Sequence, residues 1–283
     1  MNNPWLYRYA LLVAVAILYV LMTGAAVTNQ LALASPDAVP LAAATVDGAA
    51  LALLSTHRVA AEAASVLVLL LAAWITFAGR RGKAMQLAWL AVAVVIAGAL
   101  AGSPGAPLSS AIGTFHAFLG PTLFSLLIAI ATFLWPGWEK PPVQIEDKGW
   151  PSLRGLARAT VVLLVLQIAL GASFRHDVMS VLWHILGAFL VILIGLGLTV
   201  CITQAPGCET LRPPVITLAV LLGVQVTLGL ILISITQPAR HPELVLYSTA
   251  AHVLTGSATL AGSIVSAMRI WRIVKRPDSA AAI

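Results

Sequence analysis

Apolar residues run along this chain in long, nearly unbroken stretches, and polar residues collect in the short intervals between them. A membrane-spanning helix needs about 20 predominantly apolar residues. Eight segments meet that length, at 8–28, 50–78, 84–102, 110–135, 156–174, 178–203, 213–236 and 244–273. Runs this long exceed any strand and read as helices. The pattern therefore predicts an all-α polytopic membrane protein of eight transmembrane helices, with little chain left for a soluble domain. The first run, Tyr9 to Val27, is long for the apolar region of a secretory signal, which predicts a retained helix.

Composition agrees with that reading. Of 283 residues, 60% are hydrophobic and 9% charged, and the mean hydropathy is +0.98. Soluble globular domains do not have this make-up. The placement of the basic residues predicts orientation, because short cytoplasmic loops carry an excess of lysine and arginine. Arg8, Arg80, Arg81, Lys83, Lys140, Lys148, Arg154, Arg158, Arg212, Arg269, Arg272, Lys275 and Arg276 fall on one face, leaving only Arg58, Arg175 and Arg240 on the other. Both termini are thus expected in the cytoplasm of a bacterial-type inner membrane. The formal charge of +6 and pI of 9.8 follow from this bias and do not point to nucleic acid. Cys201 and Cys208 fall at the cytoplasmic end of the sixth segment, where thiols stay reduced, and no external disulfide is expected.

Four of the six histidines change the picture. His57, His116, His184 and His252 lie inside the second, fourth, sixth and eighth segments, all near the outer surface in the predicted topology. An ionisable side chain within a membrane helix is costly, faces the bundle interior and marks a functional site. Imidazole is a common ligand for iron, zinc and copper, and two imidazoles from different helices can clamp a porphyrin between them. Four at matching depth on alternate helices read as two pairs of metal ligands. His176 and His241 fall in outer loops beside Arg175 and Arg240, where solvation is the default.

An internal repeat supports the pairing. Gln167-x-x-Leu170-Gly171 ends the fifth segment and Gln225-x-x-Leu228-Gly229 lies in the seventh, each before a histidine segment; Thr23-Gly24 in the first is a degenerate copy. The chain then divides into two four-helix halves, 1–140 and 150–283, joined by the charged loop Pro136 to Leu153. With an even number of helices each, the halves insert the same way up, as pseudo-symmetric parallel repeats do. Small residues stand near each histidine on its own helix: Ala61, Gly120, Gly187 and Gly256. They would leave flat space for a porphyrin plane, or would simply let helices pack closely. Arginine pairs with carboxylates bidentately, so Arg58 and Arg175 are candidate partners for porphyrin propionates, with Arg240 a weaker one.

These residues resemble the heme A synthases, eight-helix membrane proteins built from two similar four-helix halves. The resemblance covers essentially the whole chain and is carried by Thr56-His57-Arg58, by Gln167-x-x-Leu-Gly171 running on to Arg175-His176, by His184, by Gln225-x-x-Leu-Gly229, and by Ala251-His252 with Gly256. It implies that His184 and His252 hold a heme b cofactor in the C-terminal half, with Arg58 and Arg175 as cofactor-binding residues. It implies that His57 and His116 handle the substrate, heme O, in the N-terminal half. The implied activity is an oxidoreductase step that converts a porphyrin methyl to a formyl group, giving heme A for cytochrome oxidase assembly. An electron acceptor and heme O synthase are candidate partners, and a homo-oligomer is compatible.

Two features depart from that family. Its members carry a glutamate three residues before the first histidine, where this chain has Leu54, and many carry an outer cysteine pair absent here. Glu62 does not replace the glutamate, since five residues beyond His57 it points about 140° away on a 3.6-residue helix. Two other classes fit four buried histidines: a di-heme b-type electron carrier, and a heme-binding assembly factor without chemistry. Carriers of the first kind usually place hemes toward both membrane surfaces, whereas all four histidines here are expected toward one.

Overall fold

The computed structural model describes residues 4–34, 48–79, 82–103, 109–147, 149–235 and 241–275. Eight helices follow one another: α1 (Pro4–Ala34), α2 (Gly48–Phe77), α3 (Lys83–Ala101), α4 (Ser110–Leu134), α5 (Leu153–Arg175), α6 (Val181–Gln204), α7 (Arg212–Ser234) and α8 (Pro242–Ile273). Each is long and apolar enough to cross a membrane, so the chain is a multi-pass membrane protein. All eight sequence segments are found as helices, with α1 extending several residues past its expected ends. Arg80, Arg81, Lys148, Arg240 and Arg276, used in the orientation argument, lie outside the described residues.

Local chemistry sets several helix starts. The Ser109, Ser152 and Ser180 hydroxyls accept hydrogen bonds from the amides of Ile112 (3.2 Å), Gly155 (3.0 Å) and Leu182 (3.3 Å). Each satisfies an N–H that has no partner within its helix. Pro242 and Pro213 sit in the first turns of α8 and α7, where the missing N–H is not needed.

Packing places α1, α4, α5 and α8 at the centre. α1 contacts α2, α4 and α8, and α5 contacts α4, α6 and α8; α3 joins α2 to α4, and α7 joins α6 to α8. The buried face of α8 is built from small residues, among them Ser257, Ala261, Ser263, Ser266 and Ala267. Small side chains let membrane helices approach closely. Their hydroxyls bond back to their own helix, Ser257 to the Val253 carbonyl at 2.8 Å, Ser263 to that of Leu260 at 2.7 Å and Ser266 to that of Gly262 at 2.8 Å, so none of these three is stranded.

A feature absent from the sequence reading ties the chain end to the loop after α4. Strands β1 (Ile145–Glu146) and β2 (Val274–Lys275) pair in parallel. Beside them Arg269 lies over the Trp135 ring at 5.6 Å and Arg272 over that of Trp138 at 4.5 Å. Two-residue strands carry no periodicity for a sequence to display.

Candidate functional site: two histidine pairs

The histidines pair as their positions suggest. The His57 and His116 rings have centroids 6.4 Å apart and planes at 81°, and His184 and His252 have centroids 6.1 Å apart and planes at 70°. Two metal–imidazole bonds of about 2.0–2.1 Å each, plus about 1 Å per ring from nitrogen to centroid, give about 6 Å for imidazoles sharing one metal. Both pairs have that separation. Among the described residues no group of three or more His, Cys, Asp and Glu side chains gathers as a metal-ion site.

Each histidine on an even-numbered helix rests on a glycine of the helix before it. A Cβ on Gly24 would stand 3.0 Å from His57 Cε1, one on Gly102 2.9 Å from His116 Cε1, one on Gly171 2.9 Å from His184 Cε1, and one on Gly229 3.4 Å from His252 Cε1. The Cε1 edge of the ring therefore comes closer to the glycine than a side chain would allow in three of the four seats, and to ordinary contact distance in the fourth. The glycine helix also supplies a polar partner to the ring. For three seats that partner sits one turn earlier: Gly98 before Gly102, Gln167 before Gly171, Gln225 before Gly229. In the first seat Thr23, adjacent to Gly24, takes this role at 3.1 Å from His57 Nδ1. The Gln-x-x-Leu-Gly repeat is thus the seat of a ring carried by the next helix.

Hydrogen bonding fixes the tautomer of the N-terminal pair. The Gly98 carbonyl, 3.1 Å from His116 Nδ1, can only accept, so that nitrogen carries the proton. The Thr23 hydroxyl has the carbonyls of Tyr19 (3.1 Å) and Val20 (3.0 Å) within reach, and donating its one proton to either leaves its oxygen to accept from His57 Nδ1. Both Nε2 atoms are then left with a free lone pair, the form a metal binds.

The C-terminal pair is held differently. Gln167 Nε2 lies 3.1 Å from His184 Nδ1 and also donates to the His184 carbonyl at 2.7 Å; Gln225 Nε2 lies 3.1 Å from His252 Nε2. Three buried atoms here have no partner: Gln167 Oε1, Gln225 Oε1 and His252 Nδ1. A buried polar atom left unpaired costs about 1–3 kcal/mol. A half-turn of the Gln225 amide brings its Oε1 to the ring to accept an N–H, leaving the other ring nitrogen to coordinate. That is the arrangement usual for a metal-bound histidine.

The small residues on the histidine helices serve another purpose than the open plane considered from the sequence. Gly187 accommodates Gln167 and Leu170, Gly256 lies where a Cβ would be 3.0 Å from Gln225 Nε2, and Gly120 meets Leu21 of α1. They make room for the neighbouring helix, which is the helix-packing alternative.

The two arginines separate. Arg175 is half-buried at the C-terminal end of α5, and its Nη2 donates to Asn29 Oδ1 of α1 at 2.7 Å. Asn29 is buried with Nδ2 unpartnered, so the pair offers donors between α1 and α5. Arg58 is exposed and lies 100° from His57 around α2. Leu54, three residues before His57, is half-buried. His176, expected to be solvated, is instead half-buried against α4, where a Cβ on Gly113 would come within 2.5 Å of its Nδ1. Burial, with Arg175 and His116 adding, pushes its pKa below the usual histidine value despite an opposing contribution from Asp177. His241 remains exposed, at the N-terminus of α8.

Fold and site together define a multi-pass membrane protein carrying two imidazole pairs, each pair contributed by two helices. No protein-family model matches the chain, and no curated protein matches it significantly.

Proposed function

We propose that the protein is a heme A synthase-like oxidoreductase of a bacterial-type inner membrane, oxidising the substrate heme O to heme A. The observation that carries this reading is the fourfold histidine seat, which brings the imidazoles together in two pairs with centroids 6.4 and 6.1 Å apart, the spacing of a shared iron. The two halves, 1–140 and 150–283, are read as pseudo-symmetric four-helix units, supported by the matching neighbours of α1 and α5 and of α4 and α8.

The residues fit the groups this reading requires. His184 and His252 would hold heme b, with Gln167 and Gln225 orienting their rings and Gly171 and Gly229 setting ring depth. Bound there, heme b supplies one-electron transfer, since two imidazoles saturate its iron. His57 and His116 would bind the substrate heme O, their protons kept on Nδ1 by Thr23 and the Gly98 carbonyl. Arg175 and the free Asn29 amide would receive a propionate through charge-assisted hydrogen bonds. Leu54 offers no proton acceptor beside His57, so the reading expects slow conversion, raised by Leu54→Glu. Supplying heme O to the expressed protein and analysing extracted porphyrins tests this directly: hydroxylated or formyl heme supports the enzyme, and unchanged heme rejects it. The like construction of both pairs favours a second reading, a di-heme electron carrier, which leaves the supplied porphyrin unchanged.

The seats make a mutational prediction. Gly171→Ala should lower heme retention on purification by about tenfold, the lower end of what disturbing a ligand's support costs. Gly223→Ala, where nothing lies within 4 Å, should not change it. Equal retention in the two variants would dismiss the seat as incidental.

Orientation rests on the basic residues. In intact cells a cysteine at Ser103, exposed after α3, should react with an impermeant thiol reagent. One at Val143, 87% exposed in the loop after α4, should react only after permeabilisation. The reverse labelling would turn the protein over and move the histidine pairs to the cytoplasmic side.

A further inference from the structure

Glu62 is exposed on the membrane-facing side of α2, 12 residues after the start of the Ala50–Phe77 span and 15 before its end. At 1.5 Å per residue it lies about 18 Å and about 22 Å from the two ends. Arg58, one turn earlier on nearly the same face, is exposed too. Among the described residues neither has an ion-pair or hydrogen-bond partner. Ionisable groups in this zone normally face a bundle interior or a partner.

The rest of the face has a pattern. Ser55, Val59, Glu62, Val66 and Leu69 are all exposed, Val59 at 64%, and their spacing of 4, 3, 4, 3 is the seam of a coiled coil. A single polar residue within such a seam sets register and partner number. α2 packs on α1 and α3, which leaves this stripe at the edge of the molecule. A carboxylate and a guanidinium four residues apart are complementary to a second copy of themselves: across a two-fold axis along the membrane normal, each arginine meets the other chain's glutamate. Such a contact is self-complementary and closed.

We propose that this face of α2 is the interface of a parallel homodimer, in which Arg58 of each copy pairs with Glu62 of the other. The pairing neutralises both charges inside the membrane and keeps the histidine pairs of both copies at one depth. It does not depend on what the histidines bind.

Cysteine cross-linking in native membranes tests it. With Val59→Cys or Val66→Cys, copper–phenanthroline should yield a disulfide-linked species of twice the 29.5 kDa chain. Phe189→Cys, 67% exposed on α6, should not, nor should the unmodified chain with Cys201 and Cys208. In the Val59→Cys background, Glu62→Val should lower the linked fraction roughly three- to tenfold, the range for a polar contact between membrane helices. Glu62→Gln should lower it less. Arg58→Glu alone or Glu62→Arg alone should abolish linkage by facing like charges, and the double exchange Arg58→Glu/Glu62→Arg should restore it. The dimer is refuted if seam cysteines link no better than Phe189→Cys, or link to a chain of another size. It is equally refuted if the double exchange, with native helical content, stays monomeric.

Discussion

Replacing His184 or His252 by alanine should strip the b-type absorbance from the purified protein while leaving its helical content unchanged. The two rings stand 6.1 Å apart by centroids, and on the proposed assignment each is one of two ligands to heme b, so removing either would leave that iron one bond short. Disturbing only the support of a ligand costs about 10–100-fold in affinity, so losing the ligand itself should cost at least that. Helical content should survive because the packing of α6 and α8 rests on residues such as Leu198, Ile202, Leu260 and Ile270, far along each helix from the histidines. A spectrum taken with and without reductant, normalised to protein, measures the effect. Retention of full absorbance in both variants would remove the C-terminal pair from the cofactor role.

The N-terminal pair should behave differently. His57→Ala or His116→Ala should leave most of that absorbance but reduce conversion of supplied heme O to background, because on the proposed assignment this pair only holds a substrate in passing. Liquid chromatography of extracted porphyrins reads conversion, and the absorbance of the same sample reads the cofactor. If the N-terminal substitutions remove the stable heme and the C-terminal ones do not, the two halves exchange roles. Equal loss from all four substitutions would favour the di-heme carrier.

Much of this arrangement was legible in the chain. Eight spans follow from hydrophobic length alone, since the bilayer fixes how long an apolar helix must be. The pairing of His57 with His116 and of His184 with His252 follows from their depth and alternation. The glycine seats were only half legible. The repeat at Gln167 and Gln225 is visible as a motif, but its purpose depends on how an antiparallel neighbour rotates about its own axis, which span lengths do not fix. Its counterpart in α3, Gly98 with Gly102, lacks the glutamine and offers a backbone carbonyl instead, so no side chain signals it. For the same reason the sequence leaves Gly187 and Gly256 open between a porphyrin plane and close helix packing, and the structure sets both against glutamines of the neighbouring helix. His176 was misread because loop position suggests solvent, whereas the absence of a side chain at Gly113 lets its ring pack on α4. Glu62 was seen to turn away from His57, but what it turns toward depends on which helices cover α2.

On the proposed function, the four helix-borne imidazoles form two bis-histidine iron sites. Near-infrared magnetic circular dichroism of the purified ferric protein addresses it most directly, because the charge-transfer band of a low-spin heme identifies both axial ligands. The expected spectrum has a bis-imidazole band that disappears in His184→Ala and His252→Ala and, with heme O added, grows unless His57 or His116 is replaced. A high-spin spectrum, a band from any other ligand pair, or protein purified without heme that takes up none on addition would contradict it.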